Sequence, residues 1–192
     1  MNSMVLKADK AIRQAGVCLF SILCLLLWAG CEEPVDPKTG VFDNQGHSEK
    51  SPDRTIVHLY FSDSDNSFLI SEERSLSART HPEALGGQII NALLEGPQNA
   101  LERTIPEGTV LRAFYILQNR TAYADFSREV REHHPGGARS ELMTIYSVVN
   151  SLVLNIPEIE TVKILIEGKE ETTLAGHVDL RFPFRANMLF VR

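Results

Sequence analysis

Cysteine is missing from everything beyond position 31. The three that exist, Cys18, Cys24 and Cys31, lie in or at the end of one apolar segment near the N-terminus. The rest of the chain therefore has no disulfide and no thiolate metal site. It must rely on a hydrophobic core, and a chain of this length can bury one without covalent staples. Positive charge is scarce as well. Lys7, Lys10 and Arg13 against Asp9 are the charges of the first thirty residues, which leaves 16 basic and 24 acidic side chains from Cys31 onward. A surplus of about eight negative charges repels phosphate backbones, so nucleic acid is excluded as a partner. Anionic lipid headgroups would not attract it either, and any membrane attachment has to come from the N-terminus. Long hydrophobic runs are absent except for that first segment.

What is present fits an ordinary globular protein: hydrophobic residues make up 43% and charged residues 23% of 192 residues. That length predicts one domain plus a tether. The N-terminus has the layout of an export signal. Lys7, Lys10 and Arg13 form a basic region, Val17 to Ala29 an apolar one, and Ala29-Gly30 supplies the small residues a signal peptidase accepts. Cys31 follows at once. The segment Trp28-Ala29-Gly30-Cys31 resembles a bacterial lipobox, with Trp28 where leucine is usual. This predicts a signal over residues 1–30, cleavage before Cys31, and acylation of the Cys31 thiol and of the amine that cleavage frees. More than one acyl chain holds firmly, at about 0.8 kcal/mol per buried methylene. The alternative is an uncleaved anchor, because the uncharged stretch Gln14 to Cys31 approaches the ~20 residues of a membrane span. Both readings give the same topology.

Residues 31–54 read as a flexible tether, with Pro34, Pro37, Gly40, Gly46 and Pro52 among polar residues and no apolar period. A coil of that length spans ~25 Å. The domain is expected over 55–192. Thr55 to Asp63 puts Val57, Leu59 and Phe61 on one face of a strand, and Phe68 to Ser77 returns as a second. Thr80 and Glu83 have capping-box spacing around Pro82, and a helix follows to Glu95 with Leu85, Ile89 and Leu93 as its buried stripe. Gly96-Pro97 stops it. Thr109 to Leu117 and Thr121 to Phe126 form a hairpin about Gln118-Asn119-Arg120. After Pro135-Gly136-Gly137, a second helix carries Leu142, Ile145, Tyr146, Val149, Leu152 and Val153 at helical spacing. Thr161 to Glu167 is a strand with Val162, Ile164 and Ile166 on one face, and the tail from His177 to Arg192 reads as extended. The order β-β-α-β-β-α-β predicts an α+β fold, a two-layer sandwich of a mixed or antiparallel sheet with two helices on one face.

From Ile56 onward the chain resembles a GerMN domain, named for a spore-germination and sporulation protein. The opening strand Val57-His58-Leu59-Tyr60-Phe61-Ser62-Asp63 carries part of the likeness. So do Ala92-Leu93-Leu94-Glu95-Gly96-Pro97 with Ile105-Pro106-Glu107-Gly108-Thr109, the strand Ala122-Tyr123-Ala124-Asp125-Phe126-Ser127, and Val162 to Gly168 followed by Ala175-Gly176-His177-Val178-Asp179-Leu180. The resemblance spans about Thr55 to Phe184. It implies a fold related to ring-building motifs, an extracytoplasmic and often lipid-anchored setting, and no catalytic residues.

Candidate chemistry is sparse. His133-His134 is one metal pair, but adjacent histidines point apart and no third ligand is near, so a polar loop is preferred. His177 and Asp179 share a face if extended and could orient a base. Ser127 and Ser140 lack the elbow motif of a nucleophile, so a polar pair is preferred there too. Asp125 is expected to bond nearby amides and Ser127 to cap a short turn. Gly86-Gly87 sits inside a helix, where two glycines let another backbone approach; it is not a phosphate loop. Asn119 belongs to a hairpin turn. Phe182, Phe184, Met188, Leu189 and Phe190 either close the core or form an exposed docking patch.

These readings predict a non-catalytic envelope lipoprotein, not an enzyme, with no cofactor and no metal. Its partners are a membrane, through acylated Cys31, and an envelope protein or another copy, with Phe182, Phe184 and Phe190 as the possible interface. A cell-wall binding module is the alternative, for which exposed aromatics are few (Tyr60, Tyr115 and Tyr123), and a wall hydrolase ranks third. Which membrane holds the chain stays open.

Overall fold

The computed structural model describes residues 54–77 and 81–192. The signal, Cys31 and the tether up to residue 53 lie outside the described residues, as does Thr80. The elements are β1 (Arg54–Ser62), β2 (Leu69–Ser77), α1 (Pro82–Glu95), β3 (Leu111–Ile116), β4 (Thr121–Phe126), a four-residue α2 (Glu129–Glu132), α3 (Ala138–Val153) and β5 (Thr161–Ile166), with a short 3-10 turn at Met188–Phe190. The fold is α+β. The expected element order is present, with α2 inserted ahead of α3.

The strands form two sheets rather than one. β1 pairs antiparallel with β2, Leu59 opposite Glu72. β3 pairs antiparallel with β4, Tyr115 opposite Tyr123, and β4 pairs parallel with β5. The parallel step requires a crossover, which α2 and α3 supply. Val57, Leu59 and Phe61 from β1 meet Ile89, Ile90 and Leu93 from α1, Val149 and Leu152 from α3, and Ala124, Phe126, Val162 and Ile164 from the second sheet in one core. Deleting a large side chain here, such as fully buried Phe61, costs on the order of 3–5 kcal/mol.

The reason the sheets stay separate is visible at the outer edge of β1. The Ser147 hydroxyl donates to the Tyr60 carbonyl at 2.6 Å, and the Tyr60 amide donates to Ser151 Oγ at 3.0 Å. One turn on, Asn155 accepts from the His58 amide and donates to its carbonyl, at 2.9 and 2.7 Å. Ser62 exchanges both backbone bonds with Glu102. Residues 147, 151 and 155 are four apart and share one helix face, so α3 occupies the ladder positions a further strand would need. This also explains why α3 is buried on nearly every side, Ser147, Asn150 and Ser151 included.

The capping box expected at the start of α1 rests on Thr80, which lies outside the described residues. The helix N-cap is His81, which makes no side-chain cap bond, and Pro82 opens the first turn. Its far end is held by Arg103, which donates to the Leu94 and Glu95 carbonyls at 2.5 and 2.6 Å. A guanidinium can satisfy the open carbonyls of a last turn. Gly96 has φ +94°, and a Cβ there would sit 2.0 Å from the Arg103 guanidinium. Gly86 accommodates the Phe114 ring, 2.2 Å from where a Cβ would stand, while Gly87 faces open space. The close neighbour at this pair is thus an aromatic side chain, not the second backbone the sequence led us to expect.

Two charged residues of β2 point inward. Glu72 and Arg74 are both buried and bonded at 2.6 Å. Glu72 also accepts from the Gln98 and Asn99 amides and from Asn99 Nδ2, each at 2.9 Å. Arg74 donates to the Gly96 carbonyl at 2.7 Å. The pair therefore fixes the loop that leaves α1. Burial alone would raise the Glu72 carboxyl, but the amides and the guanidinium outweigh it and hold it below the usual carboxylate range.

Candidate functional site

The C-terminal tail carries three exposed large apolar side chains, Phe182, Met188 and Leu189, and its aromatics divide into two groups. Phe184 and Phe190 turn inward. The Phe190 ring stacks on Tyr146 of α3 at 4.6 Å, and Phe184 meets the same ring edge-on at 6.0 Å. Phe184 also exchanges both backbone bonds with Val162, and Phe190 packs with Tyr60, Leu69 and Met143. Between them, Asn187 and Asn150 form a two-way pair: the Asn187 amide donates to Asn150 Oδ1 at 2.9 Å, and Asn150 Nδ2 donates to the Asn187 carbonyl at 3.2 Å. The chain end is tied by the Arg192 amide to the Leu69 carbonyl at 3.0 Å. The second group faces outward. Phe182 is 68% exposed, Met188 54% and Leu189 85%. Of the three aromatics expected at an interface, Phe184 and Phe190 thus pack inward on Tyr146, and Phe182, with Met188 and Leu189, is left to solvent.

The histidines make other partners than the sequence suggested. His177 Nδ1 lies 2.7 Å from Glu141 Oε1, whereas Asp179 is bound to Arg181 at 2.7 Å and its carboxyl is held down at about 2 by that guanidinium. Glu141 is fully buried and also accepts from the His177 and Val178 amides, the latter at 2.8 Å. Burial pushes this carboxyl up, but the Val178 amide, the His177 ring and the neighbouring amides bring it below its ordinary value. Among the described residues no hydroxyl is hydrogen-bonded to His177, so the Glu141–His177 pair pins the 175–178 loop to α3 and presents no activated nucleophile.

His133 and His134 also part. His133 Nδ1 is 3.0 Å from the Glu107 carbonyl. His134 lines a cleft of about 210 Å³ with Asp63, Glu102, Arg103, Glu107 and Ser140, which is smaller than the usual small-molecule site. Its Nδ1 accepts from the Gly136 amide at 3.0 Å, so its Nε2 carries the proton and donates to Thr144 Oγ1 at 3.0 Å. Thr144 donates onward to the Thr104 carbonyl. Ser140 Oγ is taken by Asn66 at 3.0 Å. Neither imidazole nitrogen of His134 is free for base or ligand work, and no group of three or more His, Cys, Asp or Glu converges among the described residues.

This geometry has a pH consequence. Burial lowers the His134 pKa, and Glu141 opposes it only in part. A depressed folded-state pKa means the unfolded chain binds the proton more readily. The stabilisation is complete above the unfolded value of 6.5 and is lost as pH falls below it. Replacing His134 with Asn should flatten the dependence of Tm on pH between about 6.5 and 5, while leaving the steeper loss below about pH 4.5 that Glu72 and Glu141 produce. Thermal melts of the two proteins across that range check it.

Asp125 and Ser127 act structurally. Asp125 Oδ1 accepts from the Gly168 amide at 2.7 Å. Ser127 Oγ accepts from the Val110 amide at 2.9 Å, which joins β4 to the start of β3 instead of capping α2. Asn119 Oδ1 accepts from the Thr121 amide at 3.1 Å inside the expected turn. On the open face of the second sheet Tyr115 and Tyr123 stack at 5.1 Å with their planes 6° apart, while Tyr60 is buried.

Comparison with known proteins agrees with this architecture. A presumed lipoprotein from Clostridium perfringens is similar over 69% of this chain and 87% of its own, at 26% identity and a TM-score of 0.51. The tandem GerMN domains of the sporulation protein GerM from Bacillus subtilis match at 22% identity and a TM-score of 0.55, over 67% of this chain but 44% of theirs. The first GerMN domain of that protein matches over 66% of this chain and 92% of its own, at 22% identity and a TM-score of 0.50. These last two share the fold alone. The comparison with curated proteins gave no match. The family profile described as Germane, sporulation and spore germination, covers residues 58–172, more than half of the sequence, and the chain belongs to that family, with a GerMN-like domain.

Proposed function

We propose that this chain is a non-catalytic envelope lipoprotein, lipid-anchored at Cys31, whose GerMN-like domain works by protein–protein association in a sporulation- or germination-like assembly outside the cytoplasm. One observation carries the reading: a tail pinned by Phe184 and Phe190 still leaves Phe182 and Leu189 out in solvent. Large exposed apolar patches mark interaction sites, and the tail offers the side chains from which one could be built. The family description and the resemblance to a presumed lipoprotein support the setting. The two histidine sites support a structural role for groups that would otherwise suggest catalysis.

The experiment is fractionation of cells making tagged full-length chain, with general crosslinking before lysis. The wild type is expected in the membrane fraction with a reproducible protein adduct. Cys31→Ser is expected to lose acylation and, where the signal is cleaved, to leave the membrane. Wild type that stays unacylated, or that gives no adduct above background, contradicts the proposal. A second reading, binding to the glycan or peptide of the wall, rests on the Tyr115–Tyr123 stack, since stacked tyrosines offer a flat face to a sugar. It predicts retention of the tagged chain on purified wall material, reduced by Tyr115→Ala.

A further inference from the structure

β2 has an open side. In the β1–β2 ladder, Ser62, Tyr60 and His58 turn their backbone groups away from β2, to Glu102, to Ser147 and Ser151, and to Asn155. Their partners across the ladder are Leu69, Ser71 and Glu73. By the alternation of an antiparallel pair, these turn theirs away from β1, and Ser75 follows at the same parity. The Leu69 carbonyl is taken by the Arg192 amide at 3.0 Å and the Ser75 carbonyl by the Arg54 guanidinium at 2.8 Å. Between these two bonds, the amides of Ser71, Glu73 and Ser75 and the carbonyls of Ser71 and Glu73 have no hydrogen-bond partner among the described residues.

Strand edges usually carry a device that discourages pairing: a short length, proline, lysine or a bulge. β2 runs for nine residues without proline or lysine, and its register with β1 is continuous. Its inward charges, Glu72 and Arg74, are spent on each other. The edge also has a wall. A groove of about 300 Å³ lies between β2 and α1, lined by Ser75 and Leu76 on one side and by Gln88, Asn91, Glu95 and Gln98 on the other. Residues 88, 91 and 95 share one face of α1, so a strand laid on β2 runs beside a row of amides and a carboxylate. The charge there is negative. Glu73 and Glu95 are exposed and make no ion pair among the described residues. Arg74, the cation in the lining, is buried and bonded to Glu72 and to the Gly96 carbonyl.

We propose that the open edge of β2 takes an extended, basic peptide segment of another protein, which adds as a third strand beside α1. Main-chain bonds to Ser71, Glu73 and Ser75 give the affinity, and alternate side chains enter the groove. A Lys or Arg that meets Glu73 or Glu95 supplies the selectivity. A second β2 is a poor occupant, because it brings the same carboxylates to the same edge. The site shares no residue with the exposed tail and stands whether or not the tail docks.

The test selects phage-displayed random decapeptides on purified full-length chain in detergent micelles. Enriched peptides are expected to carry Lys or Arg, and a synthetic copy of one is expected to slow hydrogen exchange at the Ser71, Glu73 and Ser75 amides. N-methylation of alternate peptide residues should abolish binding in one phase, where the amides face β2, and spare it in the other. Glu73→Gln with Glu95→Gln, both at exposed positions, should weaken binding roughly tenfold, the sum of two exposed ion pairs. No enriched peptide, peptides without basic residues, or protection confined to other parts of the chain overturns the proposal. Protection of the same amides in the chain alone, growing with its concentration, makes a second copy the occupant and overturns it as well.

Discussion

Glu72→Ala is expected to remove about 3–5 kcal/mol of stability, because it strands the buried Arg74 guanidinium without its counter-ion. It also orphans the Gln98 and Asn99 amides that Glu72 accepts from. Against a typical total of about 5–15 kcal/mol, that is a large fraction of the stability. Arg74→Leu should cost less. The carboxylate keeps its three bonds from Gln98 and Asn99, and the new side chain fills apolar space beside Phe61, over whose ring the guanidinium now lies at 5.9 Å. Urea midpoints of the two variants check the asymmetry. Equal losses would mean that the ion pair, not the loop amides, carries the stabilisation. The acid limb follows from the same contacts. The Glu72 carboxyl sits below its ordinary 4.5, so its contribution is present above that pH and lost as pH falls through the folded value.

The second large effect is expected at Glu141. Its carboxylate is fully buried and holds the His177 and Val178 amides. Alanine there leaves buried donors open at about 1–3 kcal/mol each and creates a void, so a total near 3 kcal/mol or more is expected. The loss should be local as well as global. The 175–178 loop is tied to α3 through this side chain, so amide exchange should rise first at residues 175–180 in the variant. Glu141→Gln keeps an acceptor and should retain most of the protection. Uniform loss of protection across the domain, with no preference for that loop, would show that the carboxylate serves the core as a whole.

Much of this fold was legible in the sequence because apolar periodicity is strong where one face is buried. Val57, Leu59 and Phe61, and Val162, Ile164 and Ile166, were each placed on the correct inward face, and the hairpin turn at Asn119-Arg120 was placed correctly. α3 was found from its apolar stripe, but that stripe says nothing of the opposite face. Ser147, Ser151 and Asn155 are small and polar, which is what a solvated face also shows. Their true role, closing the edge of β1, depends on a strand nearly ninety residues away. A signal existed: Leu142 to Pro157 contains no charged residue, which is unusual for a helix facing water. The inward Glu72 and Arg74 carried no such signal. They alternate correctly with outward neighbours, and only the loop after α1, which needs acceptors for its amides, explains why charge is placed inside.

The candidate site was legible in composition and not in direction. The cluster of Phe182, Phe184, Met188, Leu189 and Phe190 was identified from its apolar character. Which of these turn inward is decided by Tyr146 and Asn150 on α3, and no local pattern in the tail reports that. His177 was paired with Asp179 on strand spacing. In the fold Arg181 takes the Asp179 carboxylate, and Glu141, 36 residues away, takes the imidazole.

Site-specific photo-crosslinking from Leu189 in cells reads whether the exposed tail face binds protein, as proposed. Leu189 touches solvent over 85% of its surface, so the probe reports neighbours from outside the chain. A discrete, reproducible protein adduct is expected from Leu189 and none from the same probe at exposed Glu83 on α1. A bare monomer from both positions, with the chain correctly anchored, would contradict it.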